Sequence, residues 1–474
     1  MSGGHRMNFF DDLYNDKKDL EIAKIIAKKA DEIGGCAYFV GGYVRDKLLG
    51  IADNNEKMDI DIEVHGVIPK KLEEIIDAVG VRLNIGESFG IYSIKGSNID
   101  IALPRKEKLR GKGHRDFDVI ADPFIGTKKA AERRDFTVNA LMENILTGEI
   151  IDHFGGRDDL KNKILRHVND DTFCEDPLRV LRLSQFSARF LFEVSESTIK
   201  LCKSIRLDAL SKERIFGELE KALLKAEKPS IFFEVLRKTN QLSYWFCELE
   251  ELIGVEQNKK YHAEGDVWNH TMMVIDEAAK LREKVLYPLG FMLSAVVHDF
   301  GKSITTKEIN GVIHAYNHEN AGLKLVDSFI KRLTSEGKIK KYVLNMTALH
   351  MKPNILAKAN SGIKATNKMF DEAISPKDLI YFSVADSLGR IKENSKDSGD
   401  NKNADFLFER LKVYEEMLKR PYVTGKDLLD AGLESGKYFS EALSYAHKLR
   451  LAGIEKEEAL KQVLGYVRKL KRGD

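Results

Sequence analysis

The stretch KMDIDIEV at residues 57–64, which follows FVGGYVRDKLLG at residues 39–50, determines the fold that we predict. In KMDIDIEV, isoleucine and valine alternate with acidic residues, which is the period of a half-buried β-strand. In the upstream segment an apolar run ends at Gly41 and Gly42, and a helix is expected to begin after them. A strand, a glycine turn, a helix and an acidic strand together predict a mixed α/β module.

The acidic face of residues 57–64 predicts a metal site. Asp59, Asp61 and Glu63 share that face, and three like charges repel one another unless water or cations surround them. Two carboxylates two residues apart on a rigid strand can hold a pair of Mg²⁺ ions about 4 Å apart. We therefore predict Asp59 and Asp61 as the catalytic Mg²⁺ ligands, with Asp100 of NIDIAL as a candidate third carboxylate.

The glycine turn predicts a phosphate site. Paired glycines let the backbone approach a triphosphate closely and present N–H groups at a helix N-terminus, where anions are favoured. Arg45 adds a planar guanidinium that suits phosphate, so we predict that Gly41, Gly42 and Arg45 hold a triphosphate. Alone, each motif is equally compatible with a plain turn or an exposed acidic strand. Their separation by about eighteen residues favours the functional interpretation.

The pattern of apolar residues changes along the chain. Helical spacing covers Leu20–Ile33, and short β-like runs fill Tyr38–Ile151 except for a helix at Pro69–Val79. The polar segment Arg105–Phe124 is predicted to be an irregular, mobile loop, and helical patterns dominate from Asp158 onward. The predicted fold class is α+β, with a small mixed-sheet head followed by all-α regions. The predicted regions are an N-terminal helix (1–30), the mixed-sheet head (31–155), a helical neck (156–225), a helical body or linker (226–260), a second helical domain (261–395) and a helical tail (396–474).

These motifs carry a family resemblance. The GG…DxD arrangement is similar to that of the DNA polymerase β nucleotidyltransferase superfamily. RRDFTVNA at residues 133–140 and EDPLRVLR at residues 175–182 resemble motifs B and D of class II CCA-adding enzymes and bacterial poly(A) polymerases. The resemblance implies template-independent addition of CCA to the 3′ end of tRNA from CTP and ATP, with Mg²⁺ in the head. It also implies that Arg133 and Arg134 contact ribose and phosphate. By the same resemblance, residues 31–155 are a nucleotidyltransferase head, residues 156–225 a neck that recognises the base, and residues 396–474 a tail that binds tRNA.

The EDPLRVLR motif also has a physical interpretation. Asp176-Pro177 is a good helix start, and a carboxylate beside the guanidinium of Arg179 offers an acceptor and a donor together. Cytosine and adenine present the complementary pattern, whereas uracil and guanine present the reverse and would leave buried groups unpaired. We predict that Asp176, Arg179 and Arg182 recognise the incoming base. Gln185 stands where the family commonly has a third arginine, which puts phosphate or primer contacts at that position in doubt.

The segment Lys106–Phe124 resembles the flexible loop with which complete CCA-adding enzymes switch from C to A. An A-adding enzyme or a poly(A) polymerase would nevertheless share the motifs of the head. The sequence leaves these two alternatives open.

A second group of motifs lies in the helical region. An ionisable His-Asp pair after an apolar helix is expensive to bury unless it binds something, and imidazole with carboxylate suits a transition metal. The order of these residues resembles the HD phosphohydrolase superfamily, including members that hold two metals, and implies that residues 261–395 are a metal-dependent phosphohydrolase domain. The predicted ligands are His270, His298, Asp299, His318, His350 and Asp386.

The resemblance implies a divalent metal (Mn, Ni, Fe, Zn, Co or Mg) and hydrolysis of a phosphoester, by a phosphatase or 2′,3′-cyclic phosphodiesterase activity. Lys302 is a candidate phosphate contact. Two alternatives from other classes stay open. The chain would be an HD nucleotide or cyclic-phosphate hydrolase if its head were vestigial, and an RNA-binding module if both sites were silent.

Bulk composition sets the remaining expectations. The sequence contains no run of about eighteen apolar residues, so we predict no membrane span. Residues 1–11 lack the apolar core of a signal peptide. The four cysteines form no CxxC pair, so we predict a cytoplasmic protein that does not bind membranes. The net charge of +2 does not itself indicate nucleic-acid binding, and the oligomeric state stays open.

Overall fold

The computed structural model describes residues 9–51, 59–86, 91–109, 117–391 and 399–472. Its described residues form two compact units, residues 1–210 with 238–241, and residues 211–237 with 242–474. Two residues of KMDIDIEV, Lys57 and Met58, and the middle of the predicted loop at 110–116 lie outside the described residues. The six-region division made from the sequence stays a prediction.

The first unit is built around a mixed β-sheet. Its strands are β1 (Cys36–Val40), β2 (Ile60–His65), β3 (Arg82–Gly86), β4 (Ile91–Ile94), β5 (Ile99–Ala102), β6 (Arg105–Leu109), β7 (Phe117–Ala121), β8 (Met142–Asn144), β9 (Ile150–Ile151), β10 (Ile164–Leu165) and β11 (Glu193–Val194). Seven of these described strands form the main sheet in the order β3-β4-β5-β2-β1-β8-β9. Strand β2 pairs antiparallel with β1 and parallel with β5, so the acidic strand lies at the centre of the sheet.

The helices of the first unit cover the sheet and continue beyond it. They are α1 (Phe9–Asp31), α2 (Gly42–Leu48), α3 (Pro69–Asp77), α4 (Thr127–Glu132), α5 (Gly156–Asn162), α6 (Asp170–Glu175), α7 (Leu178–Phe190) and α8 (Glu196–Cys202), with a 3₁₀ turn at Thr137–Asn139. Ile60, Ile62 and Val64 of β2 are almost fully buried, as their alternation predicts. Apolar spacing located both ends of α3 and the C-terminal end of α1 to within two residues, but α1 begins at Phe9, eleven residues before the predicted start.

The predicted irregular loop at Arg105–Phe124 is wrong in its described parts. Strands β6 and β7 form an antiparallel hairpin in which Arg105 pairs with Ala121 and Leu109 with Phe117. The segment alternates charged and apolar residues too weakly for its periodicity to stand out. Pairing with each other satisfies the backbone groups of both strands regardless of side-chain pattern.

The second unit is almost entirely helical. Its helices are α9 (Lys212–Lys225), α10 (Ser230–Lys238), α11 (Ser243–Glu250), α12 (Val267–Leu281), α13 (Pro288–Val297), α14 (Lys302–Thr305), α15 (His318–Ala321), α16 (Leu323–Leu333), α17 (Gly337–Leu349), α18 (Met351–Lys358), α19 (Ile363–Glu372), α20 (Pro376–Leu388), α21 (Gly399–Lys419), α22 (Gly425–Asp430), α23 (Phe439–Leu451) and α24 (Lys456–Arg472), with a 3₁₀ turn at Arg282–Lys284. A short hairpin of β12 (Lys307–Ile309) and β13 (Val312–His314), which the sequence analysis missed, follows α14. None of the described helices has the length and apolarity needed to cross a membrane.

Two features of the second unit matter for its chemistry. Helix α13 is buried along nearly its whole length and packs against α12, α17 and α20, so its C-terminal end points into the middle of the unit. The C-terminal helices form a separate apolar cluster around Leu428, Ala442 and Val463. The fold is therefore a mixed-sheet head followed by a helical remainder, as predicted.

Candidate active sites

Two of the three predicted carboxylates of the head, Asp61 and Asp100, line one cavity, whereas Asp59 is not part of its wall. Asp61 on β2 lies opposite Asp100 on the parallel strand β5, and Asp59 is the exposed residue just before β2. The cavity has a volume of about 280 Å³, and Arg133 and Arg134 line it together with Asp61 and Asp100. Residues from three separate sequence motifs thus meet at one place.

The glycine turn reaches the same place. Gly41 has φ of +66°, in the region that favours glycine, and Gly42 begins helix α2. A Cβ atom on Gly41 would lie 3.2 Å from Arg134 Nη1 and 3.6 Å from Asp61 Oδ2. The absence of a side chain therefore keeps the space between the turn, the arginine and the carboxylate open.

The two acidic residues of β2 differ electrostatically. Burial raises the pKa of Asp61, and the neighbouring Asp100 and Asp59 carboxylates raise it further while Arg134 opposes them. Burial also acts to raise the pKa of Glu63, but its hydrogen bond with His65 (2.8 Å) and the Arg134 charge leave the pKa lowered. Glu63 is thus already neutralised by protein groups, whereas Asp61 sits among like charges that a cation would relieve.

Arg45 lies inside the protein and not on the cavity wall. Its Nη1 donates to Asn139 Oδ1 at 2.6 Å, and its guanidinium lies over the Phe190 ring at 4.5 Å from the ring centroid. Asn139 Nδ2 in turn donates to Asp135 Oδ1 at 2.9 Å, and Asp135 Oδ2 accepts from Arg182 Nε at 2.8 Å. A continuous series of side-chain hydrogen bonds therefore joins helix α2 to helix α7.

The predicted base-reading residues lie at the start of α7. Asp176 Oδ1 accepts from the Leu178 backbone N–H at 3.1 Å, which confirms its predicted role at the helix start. Arg179 is half-buried and donates to the backbone carbonyls of Thr172 (2.5 Å) and Arg133 (2.8 Å). Motif D is thus tied to motif B through main-chain oxygens. Gln185 is 2% exposed and its amide nitrogen is without a partner among the described residues.

In the second unit, the six predicted metal ligands come from five places in the chain and converge. His270 lies on α12, His298 and Asp299 directly follow α13, and His318 begins α15. His350 separates α17 from α18, and Asp386 lies on α20. All six side chains are between 0% and 5% exposed. Burying so many ionisable groups costs free energy of folding unless they hydrogen-bond with one another or bind cations.

The Asp299 carboxylate lies between two groups of ligands. Its Oδ2 is 3.2 Å from His298 Nε2 and 3.5 Å from His270 Nε2, and His270 Nε2 is also 3.2 Å from Asp386 Oδ1. Its Oδ1 is 3.1 Å from His318 Nε2 and 3.8 Å from His350 Nε2. One residue therefore offers an oxygen to each of two possible metal positions.

Backbone carbonyls set the orientation of the imidazoles. The Nδ1 atoms of His298, His318 and His350 face the carbonyl oxygens of the residues three positions earlier, at 3.0, 2.8 and 2.7 Å. His270 Nδ1 faces the Gly389 carbonyl at 3.1 Å. A carbonyl only accepts, so each Nδ1 carries a proton and each Nε2 faces the cluster, where it can bind a metal when it is unprotonated.

The cluster contains an unsatisfied atom that fits a metal. His298 Nε2 has no hydrogen-bond partner among the described residues, and the only further contact described for Asp299 Oδ2 besides the histidines is its ion pair with Lys302 Nζ at 2.7 Å. Burial works against the charged form of Asp299, but His298 and Lys302 hold its pKa well below the usual range. Burial and the nearby His298 lower the pKa of His350 to about 3, so its ring is neutral, as a metal ligand must be.

Four residues that contact the ligands or Lys302 were not predicted from the sequence: Glu264, His262, Arg390 and Gln257. Glu264 Oε1 is 3.2 Å from His270 Nδ1 and 2.7 Å from His262 Nδ1, and Glu264 Oε2 accepts from the Ile391 N–H at 2.9 Å. Arg390 pairs with Asp386, and Gln257 Oε1 accepts from Lys302 Nζ at 2.8 Å. Lys302, predicted to contact phosphate, is 8% exposed and held by Asp299 and Gln257. No signal in the sequence pairs these residues, because their partners are up to 127 positions away.

Comparisons with known proteins agree with this geometry. Residues 37–166 match the family model of the poly A polymerase head domain, and residues 192–253 match a probable RNA- and SrmB-binding site of polymerase A. The Multifunctional CCA protein of Haemophilus influenzae is 34% identical over 377 residues, which cover 76% of this chain and 86% of that protein. The chain belongs to the multifunctional CCA protein family.

Another member of the CCA family, from Haemophilus ducreyi, is 34% identical over 331 residues, covering 68% of this chain and 77% of the relative. The fold is that of solved CCA-adding enzymes. The Thermotoga maritima enzyme complexed with tRNA superposes with a TM-score of 0.62 at 21% identity, over 95% of this chain and 96% of that one. A Bacillus stearothermophilus enzyme in complex with CTP gives a TM-score of 0.60 at 19% identity, over 97% and 99% of the two chains.

Proposed function

We propose that this protein adds C, C and A to the 3′ end of tRNA from CTP and ATP without a template, and that its second unit hydrolyses phosphoesters. The observation that carries the first part is that Asp61, Asp100 and Arg134 line one cavity in the head, with Gly41 next to Asp61 and Arg134. Membership of the CCA family supports it, as do the names of relatives bound to tRNA, ATP and CTP.

Asp59 and Asp61 would hold Mg²⁺. The crowding of Asp61 by Asp59 and Asp100, which raises its pKa, is the electrostatic situation that a divalent cation relieves. When bound, the cations would neutralise the triphosphate and lower the cost of forming a 3′-alkoxide. In the reaction, the 3′-oxygen of the RNA bonds to the α-phosphorus of the nucleotide, the bond from that phosphorus to the bridging oxygen breaks, and pyrophosphate leaves.

The remaining head residues bind and orient. Gly41 and Gly42 leave room for the triphosphate, and Arg133 and Arg134 on the cavity wall bind sugar and phosphate. For Arg45 we retain the predicted phosphate contact as a hypothesis, although its buried hydrogen bond to Asn139 favours a role in holding helix α2 in position.

Asp176, Arg179 and Arg182 would recognise the base. Arg179 and Arg182 are held by Thr172, Arg133 and Asp135, so their guanidinium planes are fixed before a nucleotide arrives. A fixed donor and acceptor discriminate against a base with reversed polarity more strongly than mobile ones do. The RNA would be bound by the segment matching the RNA-binding model and by the C-terminal tail.

The transferase proposal is tested with three tRNAs that end before CCA, after the first C, and after the second C. Each is incubated with Mg²⁺ and with CTP and ATP, separately and together, and the products are sequenced. We expect completion to CCA followed by a stop. Adenosine added only to the CC end would make the protein an A-adding enzyme, and long A tails would make it a poly(A) polymerase.

For the second unit we propose a pair of divalent metals that share Asp299. His270, His298 and Asp386 would complete one site, and His318 and His350 the other. His298 Nε2, which has no hydrogen-bond partner among the described residues, supports this assignment. Imidazole with carboxylate suits Mn, Ni, Fe, Zn or Co, and Mg less well. When bound, the metals would activate water and polarise a phosphoryl group, as in a phosphatase or 2′,3′-cyclic phosphodiesterase.

Hydrolysis is tested by supplying each of these metals in turn to the metal-stripped full chain, with 2′,3′-cyclic AMP and with 2′-AMP as substrates. We expect turnover that Asp299→Asn abolishes, while the same variant still adds nucleotides to tRNA with a free 3′-hydroxyl. Turnover without any nucleotide addition would instead favour an HD hydrolase with a vestigial head. A cytoplasmic location stays a prediction, supported by four cysteines that are all free.

A further inference from the structure

The mouth of the metal cluster in the second unit carries exposed aromatic rings. A cavity of about 230 Å³ is lined by the ligands Asp299 and His318 and also by Tyr261 and His314. Tyr261 is 56% exposed. Tyr316, on the turn after β13, is 68% exposed and stacks on His314 with ring centroids 4.8 Å apart and planes 13° from parallel. These rings contribute nothing to the apolar core, which leaves their placement beside the cluster to be explained.

We propose that the stacked His314–Tyr316 pair is a platform on which the base of the hydrolysed nucleotide stacks, and that these two residues set the preference of the second unit for nucleotides over other phosphoesters. This inference rests on the proposed hydrolytic function and assigns the residues that bind the base. Aromatic rings bind any base by stacking, so the platform does not depend on which base the nucleotide carries. A simple phosphate ester or pyrophosphate has no group that would use the platform.

The backbone links the platform to the metal cluster. Ala315 stands between His314 and Tyr316 in the sequence, and its carbonyl accepts a hydrogen bond from His318 Nδ1 at 2.8 Å. His314 is also paired with Lys307 across the β12–β13 hairpin, which fixes its position. A base on the rings and a phosphoryl group at His318 are therefore held by one short segment, the five residues from His314 to His318.

The charge of the mouth agrees with a nucleotide. Lys302 Nζ is buried at the floor beside Asp299, and Lys260 Nζ lies over the Tyr261 ring at 5.6 Å from its centroid. In the reaction, water bonds to the phosphorus of a terminal 2′,3′-cyclic phosphate, one of the two ring phosphorus–oxygen bonds breaks, and the released ribose oxygen takes the proton. The product remains a phosphomonoester whose base can stay stacked on the rings.

The test compares a nucleotide with a substrate that lacks the base. Wild type and the His314→Ala/Tyr316→Ala double variant are assayed as full chains with 2′,3′-cyclic AMP and with glycerol 1,2-cyclic phosphate. We expect the ratio of kcat/KM for the nucleotide to that for the glycerol ester to fall about 5- to 150-fold, mainly through KM. Tyr316→Phe, which keeps the ring, restores most of the ratio. Ile309→Ala, a partly exposed residue of the same hairpin, is the matched control and leaves the ratio as in wild type.

Two results would overturn the platform. One is an equal loss on both substrates, which would mean that the rings only support the metal cluster. The other is an unchanged ratio. If the chain hydrolyses neither substrate with any metal, the proposed hydrolysis fails, and the platform is judged by hydrogen–deuterium exchange instead. Binding of 2′-AMP must then protect residues 307–316 in wild type and not in the double variant, and no protection refutes the platform.

Discussion

Among single residues, Asp299 has the most demanding position. It is buried and offers one oxygen to His270 and His298 and the other to His318. The imidazoles turn their Nε2 atoms toward this carboxylate, an arrangement that needs protons or cations between them. The geometry therefore makes sense as a metal site whose protein ligands are oriented in advance by backbone carbonyls.

Glu264 is predicted to act through His270. It holds the Nδ1 side of that ring, and residues that orient a metal-binding histidine typically contribute about 10–100-fold to metal affinity. We expect Glu264→Gln, which keeps the shape and removes the charge, to weaken Mn²⁺ binding by about that factor in calorimetric titration. The matched control is Glu277→Gln on α12, the helix that carries His270, because Glu277 pairs only with the exposed Lys280 among the ion pairs described. Unchanged Mn²⁺ affinity in Glu264→Gln would remove Glu264 from the site.

Asp135 is predicted to make the head sensitive to acid. Burial acts to raise its pKa, but Arg182 and Asn139 leave it lowered. A depressed pKa stabilises the fold above the unfolded value, which is about 3.9 for aspartate, and this contribution is lost as the pH falls through the folded pKa. We expect Asp135→Asn to lower the free energy of unfolding by about 1.5–3 kcal/mol at pH 7, and by progressively less below about pH 4.

Urea unfolding of the two proteins at pH 7 and at pH 3 measures this difference. Asp208→Asn, which removes an exposed partner of Arg206, serves as the control and should change little at either pH. A difference between wild type and Asp135→Asn that is the same at both pH values would show that the Asp135 charge has no part in stability.

The residues with a chemical signature of their own were predictable from the sequence. Asp61, His298 and Asp299 stand in short motifs whose residue types already imply metal chemistry. Glu264 and Arg390 do not, since a glutamate near a helix start and an arginine near a helix end are usually solvated. Only the fold shows that each faces a ligand.

At the level of secondary-structure elements, the turn between α13 and α15 sets the geometry of the metal cluster. Gly301 lies so close to the start of α15 that a Cβ atom on it would be 2.0 Å from the His318 carbonyl oxygen and 2.9 Å from Gly322 N. Both segments carry ligands, so their close approach brings Asp299 and His318 together.

Gly301→Ala is therefore predicted to force α14 and α15 apart. Its φ of −63° suits alanine, so the cost comes from the clash alone, about 1–3 kcal/mol for an overpacked site. We expect lower bound-metal content by mass spectrometry and a lower melting temperature, with CCA addition retained. Gly337→Ala, where an added Cβ meets no described atom within 4 Å, is the control. A variant Gly301→Ala with wild-type metal content would show that the close approach is dispensable.

Long elements with clear periodicity could be predicted, and short ones could not. Helix α7 was expected from Asp176-Pro177 and its apolar spacing, and it begins at Leu178. The three-residue strands β12 and β13 are too short to show an alternation of apolar and polar residues. A tight turn at Asn310 and Gly311, both with positive φ, allows them to pair. The stacked His314–Tyr316 pair could not be predicted because it depends on this short hairpin.

At the scale of the whole molecule, the two chemistries lie in separate compact units. The carboxylates of the head belong to the first unit and the histidine cluster to the second. The order of motifs along the sequence predicted this separation, because all head motifs precede residue 183 and all metal-ligand motifs of the second unit follow residue 269. Each activity should therefore be removable without the other.

The most direct test uses one tRNA that ends before CCA in a 2′,3′-cyclic phosphate, and a matched tRNA with a free 3′-hydroxyl. Wild type, Asp61→Asn and Asp299→Asn are incubated with Mg²⁺, Mn²⁺, CTP and ATP, and the 3′ ends are sequenced. We predict that wild type opens the cyclic phosphate and adds CCA. Asp61→Asn should open it and add nothing, and Asp299→Asn should add CCA only to the free end. Extension of either tRNA by Asp61→Asn at the wild-type rate, or of the cyclic-phosphate end by Asp299→Asn, would contradict the account of two separate metal-dependent sites.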